Sequence, residues 1–139
     1  MKFFMKLFIA LHVAVFRLTK GRLGSTMGGH KVLLLTTTGA KTGRPRTVPV
    51  MIFEDGGRRM VIASAAGSPV HPAWYKNLMK TAMVTVELPG QSYPARAETL
   101  SSAERAVVWP RLVAAMPNFG EYEKKTAGRE IPVVELRPV

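Results

Sequence analysis

The residues best suited to bind a ligand lie in one short segment, 36–46, with the sequence TTTGAKTGRPR. Its glycines let backbone N–H groups turn inward as a concave nest, and its hydroxyls add further donors. Lys41, Arg44 and Arg46 supply three positive charges, and an arginine fork matches phosphate oxygens. The segment therefore suits an anion, although spacing alone slightly favours a plainer interpretation, a basic hairpin turn whose charges are solvated.

The signatures of self-contained catalysis are missing from the sequence. It contains no G-x-S-x-G, H-E-x-x-H, G-x-x-x-x-G-K-[ST] or G-x-G-x-x-G pattern. The three histidines, His12, His30 and His71, are too scattered to indicate a metal site, and there is no cysteine to act as a nucleophile, disulfide partner or thiolate ligand. Redox chemistry in this chain therefore requires a borrowed cofactor.

Positive charge is concentrated in the N-terminal part of the chain. Residues 1–53 contain nine lysines and arginines and no carboxylate, whereas residues 54–139 contain eleven against nine. A local positive field raises the concentration of an anionic partner, which would be a phosphorylated small molecule, a membrane surface or a nucleic acid. Nucleic acid is disfavoured because the basic residues alternate with aliphatic runs instead of exposed aromatic side chains.

The elements that must position the basic segment are mainly predicted β-strands. The chain is long enough to form one hydrophobic core. Strands are predicted at 31–37, 46–53, 58–65, 83–88, 91–99 and 131–136, and helices at 73–80 and after a capping box at Ser101 and Glu104. Pro110 should kink or interrupt this last helix. The order, which has no βαβ repeat, predicts an α+β, mainly β fold: a small barrel of about six antiparallel strands with flanking helices.

The first twenty residues predict an amphipathic helix. On a helical wheel, Lys2, Lys6, Arg17 and Lys20 fall within a sector of roughly 60° and the apolar side chains lie away from it. The longest uncharged run, Leu7–Phe16, has ten residues, whereas a membrane-spanning helix needs about 20. No cleavage site of a secretory signal follows.

Two interpretations of this helix stay open. It lies in a lipid interface with its cations near anionic head groups, or it packs as an ordinary helix on the barrel or on a dimer partner. Glycines mark irregular backbone after the helix. The predicted domain organisation is thus an N-terminal helix with a glycine-rich link, residues 1–26, and a barrel, residues 27–139.

Four stretches taken together resemble the deazaflavin-dependent nitroreductase family: LLLTTTGAKTGRPRTVPV, the EDGG hairpin, VIASAAGSPVHPAWYKNL and ERAVVWPRLVAAMPNFGEYEKKTAGREIPVVEL. The blocks T-T-x-G-x-K-T-G-x-x-R and H-P-x-W-Y-x-N-L are specific in combination, and the likeness extends from about residue 27 to the C-terminus. The resemblance implies a split β-barrel and coenzyme F420, in preference to FMN, as the cofactor. Because F420 carries a phosphate and a polyglutamate tail beside its flat tricyclic ring, its charge complements the basic half of the chain.

The resemblance also implies roles for individual residues. The cofactor would be held by Lys41 and Arg46 at its phosphate and tail, by Thr42, Val48 and Pro49 beside them, by Ala63, Ser64 and Ala65 at the ring edge, and by Trp74, Tyr75 and Asn77 along the ring. For Trp74 and Tyr75 the alternative is packing of a helix on the sheet. Met51, Phe119 and Tyr122 would border the substrate pocket.

The implied reaction is hydride transfer from C5 of the reduced deazaflavin to a quinone, an activated alkene or a nitro compound, with Ser64, Tyr122 or water supplying a proton. Met51, Ala65 and Lys125 stand where nitroimidazole-active relatives have other residue types, which favours the first two acceptors.

The remaining expectations concern partners and location. A helix on lipid would make menaquinone a fitting acceptor and the protein a cytoplasmic one, peripheral on the inner face of the cell membrane. A monomer or weak dimer is expected. The alternative function is a non-catalytic barrel that binds a membrane surface or an anionic ligand.

Overall fold

A computed structural model describes residues 2–139, so Met1 and the side chain of Lys2, both in the predicted N-terminal helix, lie outside the described residues. The chain forms, in order, α1 (Lys2–Leu18), β1 (Thr26–Met27), β2 (His30–Thr38), β3 (Pro45–Asp55), β4 (Arg58–Ile62), α2 (Ala73–Lys80), β5 (Met83–Leu88), β6 (Gln91–Thr99), α3 (Ser102–Ala115), α4 (Pro117–Glu123) and β7 (Val133–Pro138). This content confirms the mainly β prediction.

Six strands close into an antiparallel barrel in the order β2-β3-β4-β7-β6-β5, with β5 pairing back onto β2. The β3–β4 hairpin turns at Gly56 and Gly57, whose φ angles of 60° and 80° suit the tight turn that glycine allows. Strand β1 extends the sheet beyond the barrel by pairing with the start of β2. The predicted six-stranded antiparallel barrel is thereby confirmed.

Two apolar clusters lie on opposite sides of the barrel wall. The first fills the interior with alternate side chains of the six strands and is closed by Tyr75 and Leu78 of α2. The second lies outside β4 and β7, where Met60, Ile62 and Val133 pack under α3 and α4. The alternation of inward and outward side chains along each strand produces this arrangement, since successive residues point to opposite faces.

Helix α1 packs on the outside of β2 through one narrow stripe. Val13 and Phe16 are buried against Leu34, and the chain after the helix passes close to the β5–β6 turn. At Gly21 a Cβ atom would lie 2.5 Å from Pro89, and its φ of +81° is one that L side chains rarely adopt. The close approach therefore requires glycine.

The opposite face of α1 is apolar and exposed. Its large side chains there are between 57% and 86% exposed, and they are Phe3, Phe4, Leu7, Phe8, Leu11 and Leu18. Within residues 2–139, no helix combines the length and the apolar character needed to cross a membrane. The division of the chain into residues 1–26 and 27–139 stays a prediction.

Several elements differ from the predictions. Strand β2 is one residue longer at each end, and β3 is one residue longer at its start and two at its end. Helix α3 continues through Pro110. The proline removes the N–H partner of the Ala106 carbonyl, but both residues lie at the exposed surface, where water can satisfy that carbonyl. The predicted third strand ends at Ile62 instead of Ala65, since Ala65 and Ala66 turn into the left-handed region with φ of 48° and 53°. The last strand is shifted by two residues, to Val133–Pro138.

Candidate functional site

A cavity of about 950 Å³ lies where α1, the β2–β3 turn and α2 meet. Its walls combine positive charge with apolar surface and contain no carboxylate. The cations, here called the cavity cations, are Lys6, Lys41, Arg46 and Lys76, and the apolar part includes Ile9, Val13, Val48 and Trp74. Such a cavity is of the size that cofactors occupy, and its charge selects an anionic one.

The β2–β3 turn is built to present unpaired donors. Its ends are tied by the Gly39 N–H, which donates to the Arg44 carbonyl at 2.8 Å, and by the Gly43 N–H, which donates to the Gly39 carbonyl at 2.9 Å. The backbone N–H groups of Lys41 and Thr42, between these ties, make no hydrogen bond to residues 2–139. The turn therefore leaves two adjacent N–H groups available to an acceptor from outside the protein.

Helix α2 holds this turn in place. The Asn77 side chain accepts from the Ala40 N–H at 2.9 Å and donates to the Thr37 hydroxyl at 3.0 Å, and the Lys80 ammonium donates to the Ala40 carbonyl at 2.8 Å. Asn77 is buried, so both hydrogen-bonding ends of its amide are satisfied inside the protein. Asn77 thus positions the cationic turn through its side chain.

The charges around the barrel are divided unequally. All nine Asp and Glu side chains form ion pairs, and none of these involves a cavity cation. On α1, for example, Arg17 is bound to Glu87 at 2.8 Å, and this hydrogen bond raises the pKa of Arg17. The cavity cations therefore keep their full attraction for an external anion.

The loop from β4 to α2 is fastened by one distant residue, Arg129. Its guanidinium donates to the backbone carbonyls of Ala63, Ser64 and Ser68 at 2.7 to 3.0 Å. These bonds satisfy backbone carbonyl groups where the chain leaves the sheet and turns into left-handed conformations. The Ser64 carbonyl also accepts from the Gly67 N–H at 3.0 Å. Burial lowers the pKa of Arg129.

The same loop contacts α4. A Cβ atom at Gly67 would lie 2.9 Å from the Tyr122 carbonyl and from the Lys125 side chain, and the φ of Gly67 is +85°. Glycine therefore lets the loop that carries Ser64 approach the helix that carries Tyr122. Phe119 packs edge-on against the Tyr122 ring, with centroids 5.8 Å apart.

A family model described as F420H2-dependent quinone reductase matches residues 8–138. The chain belongs to this family. It is accordingly an oxidoreductase whose cofactor is coenzyme F420, and the resemblance found in the sequence is confirmed.

Relatives and solved structures agree with the family assignment. The F420H2-dependent quinone reductase Rv1261c of Mycobacterium tuberculosis is 34% identical over 132 residues, which cover 92% of this chain and 88% of that protein. A solved F420H2-dependent reductase, FDR-A, is 39% identical with a TM-score of 0.67 and is matched over 76% of this chain and 93% of its own. A second solved chain, described as a domain-swapped dimer, is 34% identical with a TM-score of 0.69 and is matched over 91% and 96%.

The fold brings only part of the predicted site residues to the cavity. Lys41, Thr42, Arg46, Val48, Trp74 and Asn77 line it, whereas Pro49, Ala63, Ser64, Ala65 and Tyr75 do not. The Tyr75 ring lies in the barrel core. Met51, Phe119 and Tyr122 pack together in the cluster under α3 and α4, outside the cavity lining. The roles assigned to these residues stay predictions.

Among the titratable residues that line the cavity, three were not among the predicted site residues: Lys6, His71 and Lys76. Lys6 belongs to the basic stripe of the predicted helix, for which contact with lipid and packing on protein were both left open. His71 is part of the H-P-x-W-Y-x-N-L block and lies one turn before Tyr75, which was the signal available for it. Arg129, which organises the loop, carries no local signal in the sequence.

Proposed function

We propose that this quinone reductase holds reduced F420 in the cavity between α1, the β2–β3 turn and α2, and that its acceptor is menaquinone at the cytoplasmic surface of the cell membrane. The observation that carries the cofactor site is the set of four cavity cations without a facing carboxylate. Because every Asp and Glu side chain is already paired, an anionic ligand is the natural counterpart of these charges.

The donor set of the cavity fits F420 better than FMN. F420 brings a phosphate and several glutamate carboxylates, whereas FMN brings one phosphate. Lys41, Arg46 and the free N–H groups of the turn suit the phosphate, and Lys6 and Lys76 add charge for a longer anionic tail. The apolar surface of Val48 and Trp74 suits a flat ring system.

When bound, reduced F420 supplies a hydride from C5 of its ring to the acceptor. The protein's part is to orient the two partners, because correct placement removes much of the entropic barrier. Asn77 fixes the turn that carries Lys41, and Arg129 fixes the backbone of Ser64. Ser64 and Tyr122 are the candidates to hold the proton that the reduced acceptor requires.

Titration of the purified protein with F420 and with FMN, followed by absorbance and fluorescence, tests the cofactor site. We expect Lys41→Ala and Arg46→Ala each to weaken F420 binding by about 1 to 3 kcal/mol, the cost of a lost charged hydrogen bond. Arg111→Ala is the matched control, because Arg111 pairs with Asp55 at 2.9 Å and does not line the cavity. Unchanged affinity in both cavity variants would refute the site.

Oxidation of F420H2 in the presence of a menaquinone analogue tests the reaction. We expect turnover with the quinone and little with a nitroimidazole. Tyr122→Phe and Ser64→Ala test the source of the proton. The variant that removes the proton donor should have a lower kcat, and its affinity for F420 should be unchanged. If neither variant changes kcat, the proton comes from water.

The exposed apolar face of α1 supports the membrane part of the proposal. It places Phe3, Phe4 and Leu7 in solvent, and a face of this kind inserts into the boundary between head groups and acyl chains. Vesicles of phosphatidylglycerol should retain the protein, and Leu7→Ser with Leu11→Ser should release it. Leu23→Ser is the control, since Leu23 is 61% exposed but lies outside the helix. Equal retention of the helix variant would contradict membrane binding.

The oligomeric state belongs to the same proposal. We expect a monomer or weak dimer, although a 34% identical chain is described as a domain-swapped dimer. Light scattering over a range of protein concentrations distinguishes these states.

A further inference from the structure

His71 lies where the loop fastened by Arg129 enters α2. Its Nδ1 is 3.0 Å from an Nη1 of Arg129, and its ring lies against the ring of Tyr75, with centroids 4.9 Å apart. The side chain is half-buried and lines the cavity, which Arg129 does not. The Nδ1 edge of the imidazole therefore faces Arg129, while the ring borders the proposed cofactor site.

The contact with Arg129 fixes where the imidazole proton is. A guanidinium has donors only and stays protonated in proteins, so Nδ1 of His71 must accept and carries no proton. The remaining proton of a neutral ring then sits on Nε2. Burial, followed by the positive charges of Arg129 and Lys76, lowers the pKa of His71 below its usual value near 6.5. The ring is consequently neutral at pH 7.

The Nε2–H group is a free hydrogen-bond donor with respect to the described residues. It makes no hydrogen bond to residues 2–139, and it is not among the buried polar atoms of that range that lack a partner. An accessible donor on a cavity-lining ring is available to a ligand. Among the cavity cations it would add a directional hydrogen bond without adding charge.

We infer that His71 donates a hydrogen bond from Nε2 to an oxygen acceptor of the bound deazaflavin cofactor, and that Arg129 is the positioning residue that holds His71 in this tautomer. The inference rests on the proposed placement of F420 in the cavity. Arg129 links two parts of the site, because the same guanidinium binds the Ser64 carbonyl at 2.7 Å.

Long-range ¹H–¹⁵N correlation spectra of the wild-type protein without cofactor test the tautomer at pH 7. We expect a protonated Nε2 and an unprotonated Nδ1 for His71, and a change in its Nε2 resonance when F420 is added. In Arg129→Lys, which keeps the charge but loses the fork, the two tautomers of His71 should mix. A protonated Nδ1, or an Nε2 resonance unmoved by saturating F420, would overturn the inference.

Fluorescence titration with F420 tests the hydrogen bond. His71→Phe keeps an aromatic ring against Tyr75 but removes the donor, and we expect roughly tenfold weaker binding, the cost of one lost hydrogen bond. His71→Gln carries an amide N–H at about the reach of Nε2, and its affinity should stay within about threefold of wild type. His30→Phe is the control, because His30 does not line the cavity. Equal affinity of the Phe and Gln variants would overturn the inference.

A parallel titration uses the deazaflavin chromophore that lacks the phosphate and glutamates. If His71→Phe weakens this ligand too, the acceptor oxygen is on the ring; if it weakens F420 alone, the acceptor is on the phosphate or tail. The Lys41→Ala variant distinguishes failure of the His71 inference from failure of the proposed cofactor site. If Lys41→Ala weakens F420 binding and His71→Phe does not, only the role of His71 is overturned. Unchanged binding in Lys41→Ala and Arg46→Ala overturns the cofactor site itself.

Discussion

The two sides of the barrel use positive charge in opposite ways. Under α3 and α4, Arg58 lies 2.9 Å from Glu135 and 3.2 Å from Glu104, and hydrogen bonding to Glu135 raises its pKa. Nearby, the Arg105 guanidinium stacks over the Trp109 ring at 4.2 Å. On the cavity side, by contrast, the cavity cations have no carboxylate partner within residues 2–139.

This difference indicates that the paired cations contribute to the stability of the fold, whereas the cavity cations contribute to ligand binding. A cation paired inside the fold contributes to the free energy of unfolding, and removing it leaves its carboxylate partner uncompensated. A cation without a partner contributes little to stability and repels its neighbours of like charge. Its favourable electrostatic contribution is made when an anion binds. Substitutions on the two sides should therefore change different measured quantities.

The largest effect is expected from reversing charge on the cavity side. Lys41→Glu combined with Arg46→Glu should weaken F420 binding by about 100-fold or more, because two attractive contacts become repulsive. The denaturant midpoint should stay close to wild type, since neither cation is paired in the fold. Near-wild-type affinity measured by fluorescence titration would break the comparison.

Removing a paired cation should give the converse result. Arg58→Met leaves Glu135, whose side chain is only 11% exposed, with the more exposed Arg137 as its remaining partner. We expect a loss of about 2 kcal/mol in the free energy of unfolding, below the range for fully buried pairs because Arg58 is partly solvated. Urea denaturation measures this loss, and F420 affinity should not change. A variant with altered affinity and unaltered stability would contradict the division.

Helix α1 allows a sharper test with a smaller effect. Lys6→Ala should weaken F420 binding about threefold at low ionic strength, and the difference should shrink in 0.5 M salt, because solvated charges are screened. Lys20→Ala is the matched control, because Lys20 lies two residues beyond the end of α1 and outside the cavity lining. Identical affinities of these two variants would remove α1 from the cofactor site.

The smallest effect concerns pH. Because the pKa of His71 is lowered in the folded state, the unfolded chain takes up a proton first as the pH falls below about 6.5. The contribution of His71 to stability is thus present above that pH and declines below it, until the folded form is protonated too. Thermal melts between pH 5 and 7.5 should show a shallower decline for His71→Phe than for wild type. Parallel curves would show that His71 has no shifted pKa.

Local patterns in the sequence predicted much of the fold. The bounds of α2, β5 and β6 match the predictions, and the capping box forms with the Glu104 N–H donating to the Ser101 hydroxyl at 3.2 Å. These features depend on neighbours within a few residues, so the sequence contains the information they need. The end of β4 was mispredicted, since its left-handed turn is supported by Arg129, which is remote in the sequence.

The sequence by itself determined the barrel's strand pattern, the concentration of hydroxyls, glycines and cations in the 36–46 segment, the N-terminal excess of positive charge and the family motifs. Tertiary structure decided that Lys6 faces the cavity, that Asn77 holds the basic turn, and that Arg129 reaches His71 and the Ser64 backbone. The physical reason is that periodicity and turn chemistry act between near neighbours, whereas closure of the barrel chooses which distant faces meet.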